Sequence, residues 1–255
     1  MFILLPPSEG KTAPRRGKPL DLASLTLPAL APARQRVLDS LVALCSSKDD
    51  TAARTALGLS AGQADEVKRN TGLHTAPTAT AAQIYTGVLY EALDLATLSP
   101  AARKLMRRSL LVFSGLWGVV GIDDRIPAYR CAAGVSLPGV GGVGTFWRKA
   151  LPAALAGLTG KRLVIDLRSG PYAAMWQPAG PHAAIRVLHE RVVGGAVTRT
   201  VVSHFNKATK GRLVRDLATS GIVPRNLDEL MGALRELKYT AQRDGNRVDI
   251  VVSEL

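Results

Sequence analysis

The amino-acid sequence predicts an α/β fold, a mixed sheet wrapped by helices in a single compact domain spanning residues 1–255. Three observations carry that expectation. Short runs of branched apolar residues recur from the first residues to the last, stretches with helical apolar spacing lie between them, and no internal repeat or long linker divides the chain. Phe2 to Leu5 reads as a short buried strand running into a loop rich in Pro, Gly and Lys through Pro19. Over residues 33–70 the apolar spacing is helical, with Val37, Leu38, Leu41, Val42 and Cys45 on one face, so this stretch is a helical insert within the domain. Ala81 to Leu93 and Pro100 to Arg108 read as further helices. The second carries Arg103, Lys104, Arg107 and Arg108 on an exposed face. Leu110 to Phe113, Arg162 to Asp166, Ala184 to Leu188, Ala196 to Ser203 and Asn246 to Val252 are expected strands.

Lys and Arg number 33 against 20 Asp and Glu, a formal charge of +13, so the chain is expected to meet an anionic partner, nucleic acid being the commonest. With 47% hydrophobic residues it can bury a core that excludes water from a site, which argues against disorder. Cys45 and Cys131 are too few for a disulfide framework or a four-cysteine zinc site and fit a reducing compartment. The apolar opening stops at Pro6-Pro7, and no later run approaches the roughly 20 residues of a membrane span. The expectation is a cytoplasmic protein without a membrane partner.

Three segments are open to more than one reading. Ala56 to Val67 has the spacing of a helix-hairpin-helix, with Gly58 supplying a positive φ, Ser60 where a second glycine is usual, and Lys68 and Arg69 nearby. The same residues also fit a plain helical turn with Ser60 as N-cap. Ser8-Glu-Gly-Lys11-Thr12 follows a strand, but the glycine that a phosphate loop needs is replaced by Leu5. The S-x-x-K reading of the same residues lacks its companion motifs. A strand-end lysine with adjacent hydroxyls still makes an anion anchor. Gly139 to Gly144 fits G-x-G-x-x-G, yet the strand before it is short and ends in Pro138, so a hairpin followed by a helix from Thr145 to Leu158 is the better reading. The four histidines show no metal-ligand spacing, and no metal or cofactor is expected.

Seven ordered segments resemble the YaaA-type peroxide stress proteins: residues 2–12, Tyr85 to Tyr90, Phe113 to Gly118, Ile126 to Arg130, Phe146-Trp147, Asp166 to Ser169 with Tyr172, and Ser203 to Gly211. The resemblance spans nearly the whole chain. It implies one compact α/β fold with a positively charged cleft and a helix-hairpin-helix element, DNA binding, and a part in limiting oxidative, iron-driven damage.

The matched polar residues suggest one site at strand ends: Ser8, Lys11 and Thr12 after the first strand, Arg130 after a proline turn, Ser169 and Tyr172 after a later strand, and Lys207 after a third. Arg130 would grip a carboxylate or phosphate while Lys11 and Lys207 neutralise it. The same residues would also serve as a hydrogen-bonded network that pins loops to the sheet. Two functions follow. The leading one is sequence-nonspecific binding of duplex DNA through its phosphates in the peroxide stress response, with Gly58, Ser60, Lys68, Arg69, Arg103, Lys104, Arg107, Arg108, Lys210, Arg212 and Arg215 as the footprint. The alternative is an enzyme acting on a nucleotide or amino-acid-like anion in the cleft, with Lys11 or Tyr172 in proton transfer.

Overall fold

The computed structural model describes residues 1–193, 196–200 and 203–253. The chain begins with β1 (Phe2–Leu5) and continues through a helical segment, α1 (Ala31–Cys45), α2 (Thr51–Leu57) and α3 (Ala64–Thr71). There follow β2 (Ala79–Thr80), α4 (Ala81–Ile84), α5 (Val88–Leu93) and α6 (Pro100–Ser109), then β3 (Leu110–Ser114), β4 (Gly118–Gly121) and β5 (Arg125–Ile126). The small pair β6 (Ser136–Leu137) and β7 (Gly141–Gly142) leads into α7 (Val143–Thr159), β8 (Val164–Asp166) and α8 (Gly170–Ala173). The last third comprises β9 (His182–Val193), β10 (Ala196–Thr200), α9 (Ser203–Ser220), α10 (Leu227–Glu236), β11 (Thr240–Asp244) and β12 (Arg247–Val252). No helix among the described residues is long and apolar enough to cross a membrane.

The main sheet has the order β11-β12-β9-β8-β1-β3-β4, with β10 also paired to β9. Its centre, β12-β9-β8-β1-β3, is parallel, and its flanks are antiparallel. β1 and β3 are buried at every residue, as expected of parallel strands covered on both faces. Leu4 aligns with Asp166 across the β1–β8 pair, and Leu5 with Val112 across β1–β3, so three consecutive loops leave the sheet at one edge. Arg34 of α1 is fully buried and donates to the carbonyls of Thr26, Leu27, Trp117 and Val119, which fastens the helical segment to β4. Burial lowers its pKa to about 10, with Asp124 opposing.

The expected mixed α/β fold is present, with local departures. The helix expected over residues 81–93 is two helices. Tyr85 to Gly87 break it because they pair with the loop after β1: Thr12 N–H donates to the Ile84 carbonyl (2.9 Å), and Thr86 N–H is shared between Ser8 Oγ (3.1 Å) and the Gly10 carbonyl (3.3 Å). Pairing to a distant loop overrides local helix propensity here. The strand expected over residues 184–188 runs from 182 to 193. That expected from 196 to 203 ends at 200, residues 201–202 lie outside the described residues, and Ser203 already begins α9. The Gly139 to Gly144 cluster is the β6–β7 hairpin and the start of α7.

The helix-hairpin-helix expected around Gly58 is not confirmed. Gly58 does take a left-handed conformation with φ +64°. Its N–H, however, is directed to the carbonyls of Arg54 and Thr55, the Leu59 N–H to Arg54, and the Ser60 N–H to Gln63 Oε1. Ser60 and Gln63 form a capping box for the turn that leads into α3. A phosphate would find these turn amides already used, and Asp65 and Glu66 in the first turn of α3 would repel it. The segment is a capped helical turn.

α9 crosses α5 with glycine at the contact. A Cβ on Gly211 would lie 2.2 Å from the Leu89 carbonyl oxygen and 2.8 Å from the Ala92 Cβ. Because the nearest atoms include backbone of α5, they cannot swing aside. Gly211→Ala is therefore expected to destabilise the fold by at least 2–3 kcal/mol on the roughly 1–3 kcal/mol scale of core overpacking, read as a lower urea midpoint with unchanged m.

Candidate functional site

β1 stands between β3 and β8, and the chain builds outward from it first on one side and later on the other. Connections that leave neighbouring parallel strands in opposite directions open a crevice beyond their carboxyl ends. A cavity of about 400 Å³ lies there. Its walls are Pro6 to Gly10 after β1, Leu167, Ser169 and Tyr172 after β8, Thr86 to Tyr90 at the start of α5, and Asn206, Lys207 and Lys210 on α9.

Four of the expected site residues, Ser8, Ser169, Tyr172 and Lys207, line this one cavity. Lys210, expected in a DNA footprint, lines it too. Lys11 sits beneath the loop after β1 instead, Thr12 is exposed, and Arg130 reaches the cavity only through Glu9, whose carboxylate it holds at 2.7 Å. Glu9, Asn206 and the cleft position of Lys210 were not anticipated. Glu9 lies inside the matched Ser8 to Lys11 segment, so its signal was its place beside two expected anchors.

The wall after β1 is held from below. Tyr90 Oη donates to the Pro6 carbonyl (2.7 Å), Ser8 Oγ to the Gly10 carbonyl (2.5 Å), and Lys11 Nζ to the Ser8 carbonyl (2.6 Å). The Lys11 ammonium rests 4.5 Å from the centre of the Tyr129 ring. Tyr129 in turn joins Ser114 Oγ (2.6 Å) and Tyr85 Oη (2.9 Å). Ser114 Oγ already accepts from the N–H groups of Leu116 and Trp117, so its own proton goes to Tyr129 and the Tyr129 proton to Tyr85. Burial raises the pKa of Tyr85, Tyr90 and Tyr129, which keeps this chain neutral at physiological pH.

The wall after β8 is held by one buried ion pair. Arg168 donates from Nε to Asp166 Oδ1 (2.8 Å) and from Nη2 to Oδ2 (2.6 Å). It also donates to the carbonyls of Tyr172 (3.0 Å) and Trp176 (2.7 Å) and lies 4.0 Å above the Phe113 ring. Tyr172 is thereby drawn to the cavity edge, where burial and then the Glu9 carboxylate raise its pKa.

Two lysines of this region are unusually dehydrated. Lys210 donates to the Leu167 carbonyl (3.0 Å), and burial lowers its pKa to about 8 against the attraction of Asp166. Lys11 is also lowered to about 8, by burial first and by Arg130, with Glu9 and Glu66 opposing. Each is a cation poised to lose its proton just above neutrality. Cys131, in contrast, is buried and its thiol is pushed up to about 12.

The expected DNA footprint divides. Arg103 donates to the carbonyls of Leu95 and Ala96, Arg107 pairs with Asp123 (2.9 Å), Arg69 pairs with Glu66 (2.5 Å), and Arg215 holds the carbonyls of Leu93 and Asp94 with Thr97 Oγ1. Lys68, Lys104, Arg108 and Arg212 remain exposed. α6, which carries Lys104 and Arg108, packs on α9, which carries Arg212.

Because Arg168 would be left with nothing to bind, or Asp166 with an uncompensated buried charge, breaking this pair from either side is expected to be severe. Arg168→Leu should lower unfolding free energy by about 3–5 kcal/mol, and a cycle with Asp166→Leu should return part of the loss, because removing both charges leaves neither uncompensated.

Similarity to known proteins agrees with this architecture. Residues 1–244 match the family described as peroxide stress protein YaaA. A UPF0246 protein of Streptomyces coelicolor is 52% identical over the full length of both chains. A UPF0246 protein of Corynebacterium efficiens is 46% identical over 86% of each chain, and an uncharacterised protein of Campylobacter jejuni is 26% identical over 92% of this chain and 90% of its own. With the family pattern running through the loops after β1 and β8 as well as the sheet, the chain belongs to the peroxide stress protein YaaA family.

Proposed function

We propose that the chain serves the peroxide stress response by binding a small anionic molecule, a nucleotide or an amino-acid-like anion, in the cleft beyond β1 and β8. The observation that carries this reading is the convergence of Ser8, Ser169, Tyr172, Lys207 and Lys210 on one cavity of about 400 Å³, a volume suited to a small ligand. Lys207 and Lys210 supply charge, the hydroxyls orient oxygens, and Val88, Leu89 and Tyr90 give an apolar wall. An enzyme acting on such an anion would find in Lys210 a group able to exchange a proton near neutrality.

Isothermal titration with a panel of nucleotides and amino acids tests the reading. One of them should bind, and Lys207→Gln with Lys210→Gln should weaken it at least tenfold while the melting temperature holds within a few degrees. Affinity should fall as pH rises through about 8, because Lys210 loses its charge there, and binding near that pH should take up protons since the anion stabilises the ammonium. No binding by any member of the panel, or binding indifferent to both substitutions, rejects the cleft as a ligand site.

A second reading, sequence-nonspecific DNA binding, rests on the +13 charge and the exposed Lys104, Arg108 and Arg212 on adjoining helices. Affinity for unrelated duplexes should fall with log salt by about 0.9 per neutralised phosphate, and replacing these three by Gln should flatten that slope by up to about 2.7. Gly58→Ala, which strains a left-handed residue by about 1 kcal/mol, should leave DNA affinity unchanged. Affinity insensitive to salt rules out phosphate contacts as its source.

A further inference from the structure

We infer that Arg130 and Lys11 form a second anion subsite beside the cleft, and that the carboxylate of Glu9 occupies it as a resident counter-ion that a phosphate or carboxylate of the ligand displaces. This inference rests on the proposed cleft reading and extends it to a ligand with two anionic groups.

The geometry of the cations is built, whereas that of the anion is not. Arg130 is fixed at its backbone by fully buried Asn70, which accepts from the Arg130 N–H (2.9 Å) and donates to its carbonyl (2.8 Å). Its side chain is only 20% exposed. Lys11 is held by the carbonyl of Ser8 and the face of Tyr129 and has no carboxylate within ion-pair distance among the described residues. Two confined cations therefore share Glu9 as their main acid, Glu66 acting more weakly on Lys11 and being paired with Arg69. That acid, Glu9, has a side chain 58% exposed, sits on a loop next to Gly10, and pairs with Arg130 at 2.7 Å, its one ion pair among the described residues.

A structural salt bridge needs neither this asymmetry nor this position. The carboxylate of Glu9 lies on the cavity wall with Tyr172, and the loop that carries it is secured by other groups: Ser8 Oγ, the Lys11 ammonium on backbone carbonyls, and Thr86 N–H. Releasing Glu9 from Arg130 leaves every one of those bonds in place. An ion pair open to solvent on its carboxylate side is weak, so an incoming phosphate that makes a bidentate contact to Arg130 can replace it. Exchange keeps the two cations compensated at every stage, with the ligand supplying the charge that Glu9 withdraws.

The test measures inorganic phosphate binding by isothermal titration to the full-length protein and its variants at constant salt. Glu9→Gln should melt as the wild type does and bind phosphate at least tenfold more tightly, or bind one additional phosphate. The gain should vanish in the Glu9→Gln, Arg130→Gln double variant. Glu236→Gln, which removes an exposed acid at the end of α10, should give no gain, and an equal gain there overturns the inference as a general charge effect. If Glu9→Gln binds phosphate no better than the wild type, or not at all, the subsite is refuted. The cleft reading fails separately, through indifference of its ligand to Lys207→Gln and Lys210→Gln, so the two failures are distinguishable.

Discussion

The buried pair between Asp166 and Arg168 is the constraint on which the cleft depends. β8 is three residues long and contributes little edge of its own, so the loop that follows it needs another anchor. Asp166 ends the strand, and the guanidinium two residues later folds back on it, leaving its remaining N–H groups for the carbonyls of Tyr172 and Trp176. A desolvated ion pair is a poor source of net stability but a strong source of specificity, because any other path for the loop strands a charge in the core. The position of Tyr172 against Glu9 and the approach of α9 to the Leu167 carbonyl both follow from that one path.

Positive charge in this chain is divided between two uses, and the division is invisible in a residue count. Arg34, Arg103, Arg168 and Arg215 aim their guanidinium groups at backbone carbonyls, where the planar fork satisfies several acceptors at once. These arginines close loops and helix ends. Two lysines, Lys210 in the cleft and Lys11 beneath the loop beside it, behave differently. Lys210 and Lys11 each meet loop carbonyls and pair with no carboxylate at ion-pair distance among the described residues, the feature on which the proposed anion binding draws. Formal charge alone overstates the surface open to a polyanion, since four of the footprint's six arginines are committed to partners within the fold.

How much was legible in the sequence follows the range of the interactions. Six of the sheet's eight strands are readable because branched residues in short runs carry a local signal, and the strand-end positions of Ser8, Ser169 and Tyr172 come with them, whereas the glycine-flanked β4 and the polar β11 carry no such signal. The break at Tyr85 was not readable, because its cause is pairing with Gly10 to Thr12, more than seventy residues away in sequence. Gly58 shows a subtler limit. Its positive φ was correctly expected, yet whether the amides around it face a phosphate or a neighbouring carbonyl is decided by hydrogen bonds that spacing does not encode. Lys210 belongs to a basic run that reads as a polyanion footprint, because a count of basic residues does not say which face of the segment a neighbouring loop covers. Only the packing of α9 over the β8 loop turns that face inward.

The energetic position of the two lysines bears directly on the proposed anion binding. Dehydration makes the ammonium costly, and each protein can offset that cost by supplying a carboxylate or by releasing the proton. Here the fold does neither completely. Asp166 attracts Lys210 but is already spent on Arg168, and Glu9 attracts Lys11 but is already paired with Arg130. Both lysines keep a pKa of about 8, and on the proposed reading an anion bound beside them would meet a desolvated cation whose own carboxylate is shared with an arginine. On the proposed anion-binding reading, the same incomplete compensation that lowers their proton affinity is what would give the cleft its affinity for a negatively charged ligand.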